Sequence, residues 1–303
     1  MRCKRPARWS EDYALPSRRD ILKTMGLAGA AFAATPESAF PASWFQDGEE
    51  AVPFTDVPAD FSTRRGEFVF RLDLRELRSW TTPTEEFFTV AHYDRPQIDA
   101  ASWSLSVDGL VQRPMSLSLD EVKALPRVDK TLTFECSGNQ GSRIHGMVGN
   151  ATFTCTPLSD LLKKAGPSDD VIEVVFWAAD KGKEKIRDSE YEQNFGRALS
   201  LEDAMESGAL LAYEMNGRPL DPAHGHPLRL VVPGWYGIAN VKWLERIELN
   251  ERRLMNRFMG RDYVTVIGRE VDGKTQWFER SVTRQRVKSA IARVTRTLAG
   301  RFN

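Results

Sequence analysis

Turn-forming residues interrupt this chain every few positions, and the apolar runs between them are short, β-branched and never set in a regular strand–helix alternation. Ser102–Val107 alternates apolar and polar residues and ends in the turn pair Asp108-Gly109. Val171–Trp177 and Leu228–Val232 read as buried strands bounded by Pro, Asp or Gly, and Val241–Leu249 reads as another. Helices are few and brief. Ser118-Leu119-Asp120-Glu121 has capping-box spacing ahead of Val122 and Leu125, and Pro126 closes that helix. A second is expected with Thr156 as N-cap, Pro157 at its first position, a Leu158/Leu161/Leu162 stripe and Gly166-Pro167 at its end. A third starts at Ser200, with Asp203 in reach of the cap. Such a pattern predicts an α+β domain on mixed sheets rather than a doubly wound fold.

Within this texture, Thr131-Leu132-Thr133-Phe134-Glu135-Cys136-Ser137-Gly138-Asn139 brings a strand up to a small polar loop. Leu132, Phe134 and Cys136 share one face if the run is extended, and Ser-Gly-Asn turns sharply and leaves backbone N–H groups available. The loop presents Cys136 for chemistry, although a buried structural cysteine is the competing reading.

The 303 residues suffice for a large core, and 42 basic against 42 acidic side chains exclude an overall charge suited to nucleic acid or an anionic membrane. Recognition must come from a local site. Ser17-Arg18-Arg19-Asp20-Ile21-Leu22-Lys23 leads into the apolar run Met25–Ala34, which looks like a twin-arginine export signal over residues 1–39. That run is about half the ~20 residues a membrane span needs, so no permanent anchor is expected. Export places the protein in the periplasm or an equivalent compartment, and a route for folded proteins suits a cofactor loaded beforehand. Cys3 falls in the segment expected to be removed. Cys136 and Cys155, nineteen positions apart, then remain where disulfides can form, so a bridge between them is the structural alternative.

Phe134–Asn139 is the first of four blocks, followed by Val148-Gly149-Asn150-Ala151-Thr152-Phe153-Thr154, Leu211-Ala212-Tyr213-Glu214-Met215-Asn216-Gly217, and His224 through Pro233-Gly234-Trp235-Tyr236-Gly237 to Val241-Lys242-Trp243-Leu244. In this order they resemble the sulfite oxidase family of molybdopterin enzymes, over roughly residues 87–263. The resemblance implies a mixed-sheet molybdopterin-binding fold, with Cys136 as the protein ligand to molybdenum, a role suited to a soft thiolate. It further implies that Tyr213 lines the pocket as a hydrogen-bond donor, and that Phe87, Phe88, His92, His224, Arg229, Asn240, Val241 and Lys242 bind the cofactor, its phosphate inviting a fixed guanidinium and backbone donors. Cys155 takes no catalytic role. His224-x-His226 alone would suggest a zinc or copper pair, but no carboxylate cluster accompanies it.

Two departures bear on substrate. Sulfite oxidases carry substrate-binding arginines at the positions matching Val90 and Gln140, and both charges are absent here. Arg143 is the nearby substitute. The expected organisation is an extension over 40–86, a molybdopterin-binding domain over 87–280, and a basic tail over 281–303. That tail is expected to be solvated, or a remnant of the family's C-terminal dimerisation domain, with Val287–Val294 as its opening strand.

The implied function is a molybdenum oxidoreductase that moves an oxygen atom to or from a small substrate, sulfite-like or sulfoxide-like. Its electrons are exchanged with a c-type cytochrome or a membrane haem or quinone protein. A secreted, non-catalytic binding domain held by a Cys136–Cys155 disulfide is the alternative from another class.

Overall fold

Two five-stranded sheets carry the architecture. In the first, the spatial order is Ser189–Ser200, Glu173–Ile186, Leu244–Asn250, Ser104–Gly109 and Met115–Ser118. All its pairings are antiparallel except that of Leu244–Asn250 with Ser104–Gly109, which makes the sheet mixed, as the sequence implies. The second runs Arg218–Pro219, Leu210–Met215, Val148–Pro157 and Val128–Glu135, and Arg229–Val231 also pairs with Leu210–Met215. The computed structural model describes residues 49–297 apart from 59–60, 66–67, 78 and 141–143. The expected export segment, with Arg18 and Arg19, and the substitute residue Arg143 lie outside the described residues. None of the described helices is long and apolar enough to cross a membrane.

Local signals explain most of the helix starts. Ser118 and Glu121 form the reciprocal capping box ahead of Leu119–Lys123, and the Ser200 hydroxyl accepts from the Asp203 N–H at 3.0 Å ahead of Leu201–Glu206. The second helix, Leu158–Ala165, begins one residue later than expected. Pro157 is its N-cap and supplies no side-chain hydrogen bond, because Thr156 is still held in the preceding strand with its hydroxyl buried and unpartnered. Gly166 ends the helix in the left-handed conformation at φ +70°.

The expected strand over 241–249 starts only at Leu244. Trp243 has φ +51°, and this breaks the extended run. A hairpin of Val264–Val271 and Lys274–Ser281 had no counterpart in the sequence reading, although its Asp272-Gly273 turn, with φ +51° and +71°, has the favoured two-residue chemistry.

The core lies in two main clusters. The larger gathers Trp103, Leu105, Leu158, Leu161, Phe176, Leu211, Leu244 and Phe258, drawn from both sheets and the helices. The smaller gathers Phe87, Phe88, Phe134, Phe153, Cys155 and Met215 on the thiol side of the second sheet, with Leu132 and Cys136 packed against it. That the three alternate residues of the thiol strand touch one cluster is what their spacing of two predicts.

Segments at both ends of the chain complete this side. Asn150 N–H donates to the Thr82 hydroxyl at 3.1 Å, and the Asn216 amide donates to Thr82 O at 3.0 Å. Past Ser281 the chain runs without regular structure until Val294–Thr297, which pairs with Glu49–Val52. Of the strand expected over Val287–Val294, only Val294 is extended into a pairing, and residues 287–293 form no strand.

Gly149 sits opposite Phe134 and leaves room for the Phe87 ring, which a Cβ there would meet at 2.6 Å. Gly149→Ala should lower stability by about 1–3 kcal/mol through overpacking. An unchanged urea midpoint would contradict that packing.

Candidate active site

Cys136 follows directly on the thiol strand, with its N–H donating to Met147 O and its carbonyl accepting from Asn139 N–H, both at 2.9 Å. It is half-buried, and two cavities meet there. The inner one, about 70 Å³, has Phe87, Phe88, His92, His224, Arg229, Asn240 and Lys242 in its walls. The outer cleft, about 800 Å³, is bounded by Arg71, Tyr236, Arg257, Asp262 and Arg286 among others, and Val90, Ala91, His92, Cys136 and Tyr263 belong to both. Eight of the ten residues expected from sequence thus converge on one cavity.

The inner cavity is positively charged and poorly compensated. Asp221 caps the short turn Pro222–His224 and holds His224 Nδ1 at 2.8 Å, which leaves His224 Nε2 buried without a partner. The Arg229 guanidinium donates to His224 O at 2.9 Å and Asn240 O at 3.3 Å and lies over the Phe134 ring at 5.1 Å, while its Nε has no partner. Lys242 donates to Ala223 O at 3.3 Å and lies 4.2 Å from the Trp243 ring centroid. Neither cation makes an ion pair among the described residues.

Desolvation drives the titration of these groups. Burial pushes Lys242 down to about 7, with Arg229 adding to the effect, and it pushes Arg229 down to about 10. Burial also raises Asp180, in the same wall, to about 7. Such a site favours an anion that takes up the orphaned Arg229 Nε–H, and the phosphate end of a pterin cofactor has that chemistry. Gly225, at φ +102°, lets the turn approach Lys242, whose Cβ would stand 2.9 Å from an added Cβ. Asn240 brackets the lip of the cavity, accepting from Val232 N–H at 2.7 Å and donating to Tyr236 O at 3.1 Å.

Two expected residues do not line the cavity. Tyr213 shares a sheet face with Leu211 and packs into the larger core with Lys123 over its ring at 5.9 Å, whereas Leu210 and Ala212 face the thiol-side cluster. The strand period of two turns Tyr213 away from Cys136. Val241 is corrected in the same way: Asn240 and Lys242 face the cavity, and Val241 lies in the core with its carbonyl accepting from Leu230 N–H.

Further lining residues were not named as site residues from the sequence. Asp180 and Phe195 come from the first sheet, Trp243 from the lip, and Tyr263 from the entry to the hairpin. The Tyr263 phenol is hydrogen-bonded to His92 Nε2, so a tyrosine does stand beside Cys136, supplied by another part of the chain. Only chain-distant packing identifies it.

The disulfide alternative fails on geometry. Neither Cys136 nor Cys155 is in a disulfide. Cys155 pairs with Val128 at the far end of the thiol strand. Eight strand positions, ~26 Å at ~3.3 Å each, separate the two cysteines along the sheet, far beyond the ~7 Å a bridge permits. Burial pushes the Cys155 thiol up to about 12, which makes it inert.

Comparison with known proteins agrees with this geometry. The family profile described as Oxidoreductase molybdopterin binding domain matches residues 92–258, and the chain belongs to that family. It is 33% identical over 202 residues to the mitochondrial sulfite oxidase of Macaca fascicularis, covering 61% of this chain and 36% of that protein. It is 31% identical over 194 residues to a nitrate reductase [NADH] of Ulva prolifera, covering 58% of this chain and 22% of that protein. The chain thus spans about a third or less of the length of these two relatives. The crystal structure of the sulfane dehydrogenase SoxCD from Paracoccus pantotrophus shares the fold, with a TM-score of 0.59 at 24% identity, over 84% of this chain and 62% of that one. Molybdopterin, with its molybdenum, is accordingly the cofactor of this domain.

His92 gives the cavity a measurable acid response. Burial, reinforced by Lys242 and Arg257, pushes it down to about 4 from its ordinary 6.5. The folded state then binds fewer protons than the unfolded chain between those values, and stability is lost as pH falls through that window, by up to about 3 kcal/mol. Asp180, raised to about 7, acts oppositely in the cofactor-free protein, so the readout is the difference between variants. His92→Gln should gain on wild type as pH drops from about 6.5 to 4 in urea titrations. A pH-independent difference would refute the assignment.

Proposed function

We propose that this chain is an exported molybdopterin-dependent oxidoreductase that moves an oxygen atom to or from a small substrate at Cys136. Its partner is a c-type cytochrome or a membrane haem or quinone protein. The observation that carries the reading is the position of Cys136 between an inner cavity walled by Arg229 and Lys242, neither in an ion pair among the described residues, and an open outer cleft. When bound, the cofactor supplies a two-electron oxygen-atom transfer and one-electron exchange with a carrier.

The chain's own part follows from the geometry. Cys136 is the thiolate ligand. His224, Arg229 and Lys242 anchor the anionic end and regain the charge compensation that the cavity lacks. Phe87, Phe88 and Phe134 exclude water beneath the site. Tyr263, tied to His92, holds a phenolic proton at the junction where a substrate arriving through the outer cleft meets Cys136. Twin-arginine export to the periplasm supports a cofactor loaded before translocation, and residues 87–280 form the proposed catalytic domain.

For the substrate, Val90 and Gln140 withhold the positive charges that sulfite oxidases use. Arg71, Arg257 and Arg286 nevertheless line the outer cleft, and they favour a small oxoanion such as sulfite. Arg257 is already committed to Glu184 and Asp262, so Arg286 is the substrate-side cation of this reading. A neutral sulfoxide is the second reading, favoured by the apolar Val90 at the junction.

Sulfite-dependent cytochrome c reduction, set against sulfoxide-dependent oxidation of a reduced dye, separates the two. The oxoanion reading predicts activity in the first assay alone. In whichever assay the wild type is active, Cys136→Ser should lower turnover at least a thousandfold with an unchanged unfolding midpoint. Retained turnover in that variant would overturn the proposal.

A further inference from the structure

The basic tail takes no part in the cofactor cavity, yet one of its side chains reaches the cysteine loop. Lys288 Nζ donates to Glu135 Oε1 at 2.7 Å and to Asn139 O at 2.6 Å. Those two acceptors flank Cys136, one immediately before it and one three residues after. Both residues are buried, Glu135 at 8% and Asn139 at 7% exposure. They are also tied to each other, since the Asn139 amide donates to Glu135 Oε1 at 3.0 Å and its Oδ1 accepts from Met147 N–H at 3.0 Å.

The segment that brings Lys288 here is held almost wholly by polar contacts. Gln285 N–H donates to Gly234 O at 2.8 Å, and the Arg293 guanidinium donates to Arg75 O and Leu77 O at 3.1 and 3.0 Å. Between them Val287 and Ile291 are exposed, so apolar packing does not set the path of the segment around Lys288.

We propose that Lys288 is a positioning residue for Cys136: its ammonium joins the Glu135 carboxylate to the Asn139 carbonyl and so closes the loop that presents the thiol. The strand pairing ends at Glu135, and beyond it the junction of Lys288, Glu135 and Asn139 adds to the Met147 hydrogen bonds as the loop's restraint. The inference rests on Cys136 being the molybdenum ligand, but the clamp itself can be read without the metal.

Two measurements on the full chain test it. In cofactor-free protein, Lys288→Met should speed amide hydrogen exchange over residues 135–140 at least tenfold, with the strands of the first sheet unchanged, and Lys288→Arg should restore protection. In protein produced with cofactor, Lys288→Met should shift the thiolate-to-molybdenum absorption and lower the metal retained on dialysis, and Lys288→Arg should recover both. Wild-type exchange in the cofactor-free Lys288→Met variant would overturn the clamp. Acceleration spread evenly over the whole chain would also overturn it, as a sign of general destabilisation. Wild-type protein that binds no molybdenum would instead overturn the reading of Cys136, whatever the exchange result.

Discussion

Arg229 is buried and Lys242 part-buried in one cavity wall without an ion-pair partner among the described residues, and the rest of the site is organised around that charge. Isolated charges in a low-dielectric interior are strongly unfavourable unless something of opposite sign arrives. Here the protein supplies backbone carbonyls from His224, Asn240 and Ala223 and aromatic faces from Phe134 and Trp243, which soften the penalty without removing it. The depressed Lys242, at about 7, registers what remains. An anionic cofactor end resolves the conflict, and binding and folding of this wall are then coupled.

The two sheets divide the remaining work. The second ends its Val128–Glu135 strand at the cysteine and brings Arg229 in on its Arg229–Val231 strand, so ligand and anion anchor share one scaffold. The first carries Asp180 and Phe195 to the opposite wall. Segments from both chain ends cover the junction: the N-terminal one contributes Phe87, Phe88 and His92, and the C-terminal one contributes Tyr263 and the Lys288 clamp. A precise cavity wall built from rigid strands, with an outer cleft built from connecting segments, is the arrangement expected when cofactor geometry is fixed and substrate entry is not.

Much of this was legible in the sequence because the signals are local. The capping box at Ser118 depends on residues three apart, the Phe134/Cys136 face on residues two apart, and His224, Arg229 and Lys242 fall within one continuous block. Tyr213 was misread for a physical reason: the block that contains it fixes the strand but not which face meets the cavity, and alternation sends Leu211 and Tyr213 to the core. The strand proposed over Val241–Leu249 failed at Trp243, where a positive φ serves the cavity lip instead of the sheet. Tyr263, Asp180 and Lys288 reach the site from distant parts of the chain, and no periodicity or motif marks them. The Cys136–Cys155 bridge looked open on cysteine count alone, and strand register closed it.

The central claim is that the inner cavity and Cys136 together hold one molybdenum cofactor. Metal analysis of the purified protein, made in a host that synthesises the cofactor, tests it most directly. The account predicts close to one molybdenum per chain in the wild type and its loss in Cys136→Ser with the fold retained. A well-folded wild-type protein without molybdenum would contradict it.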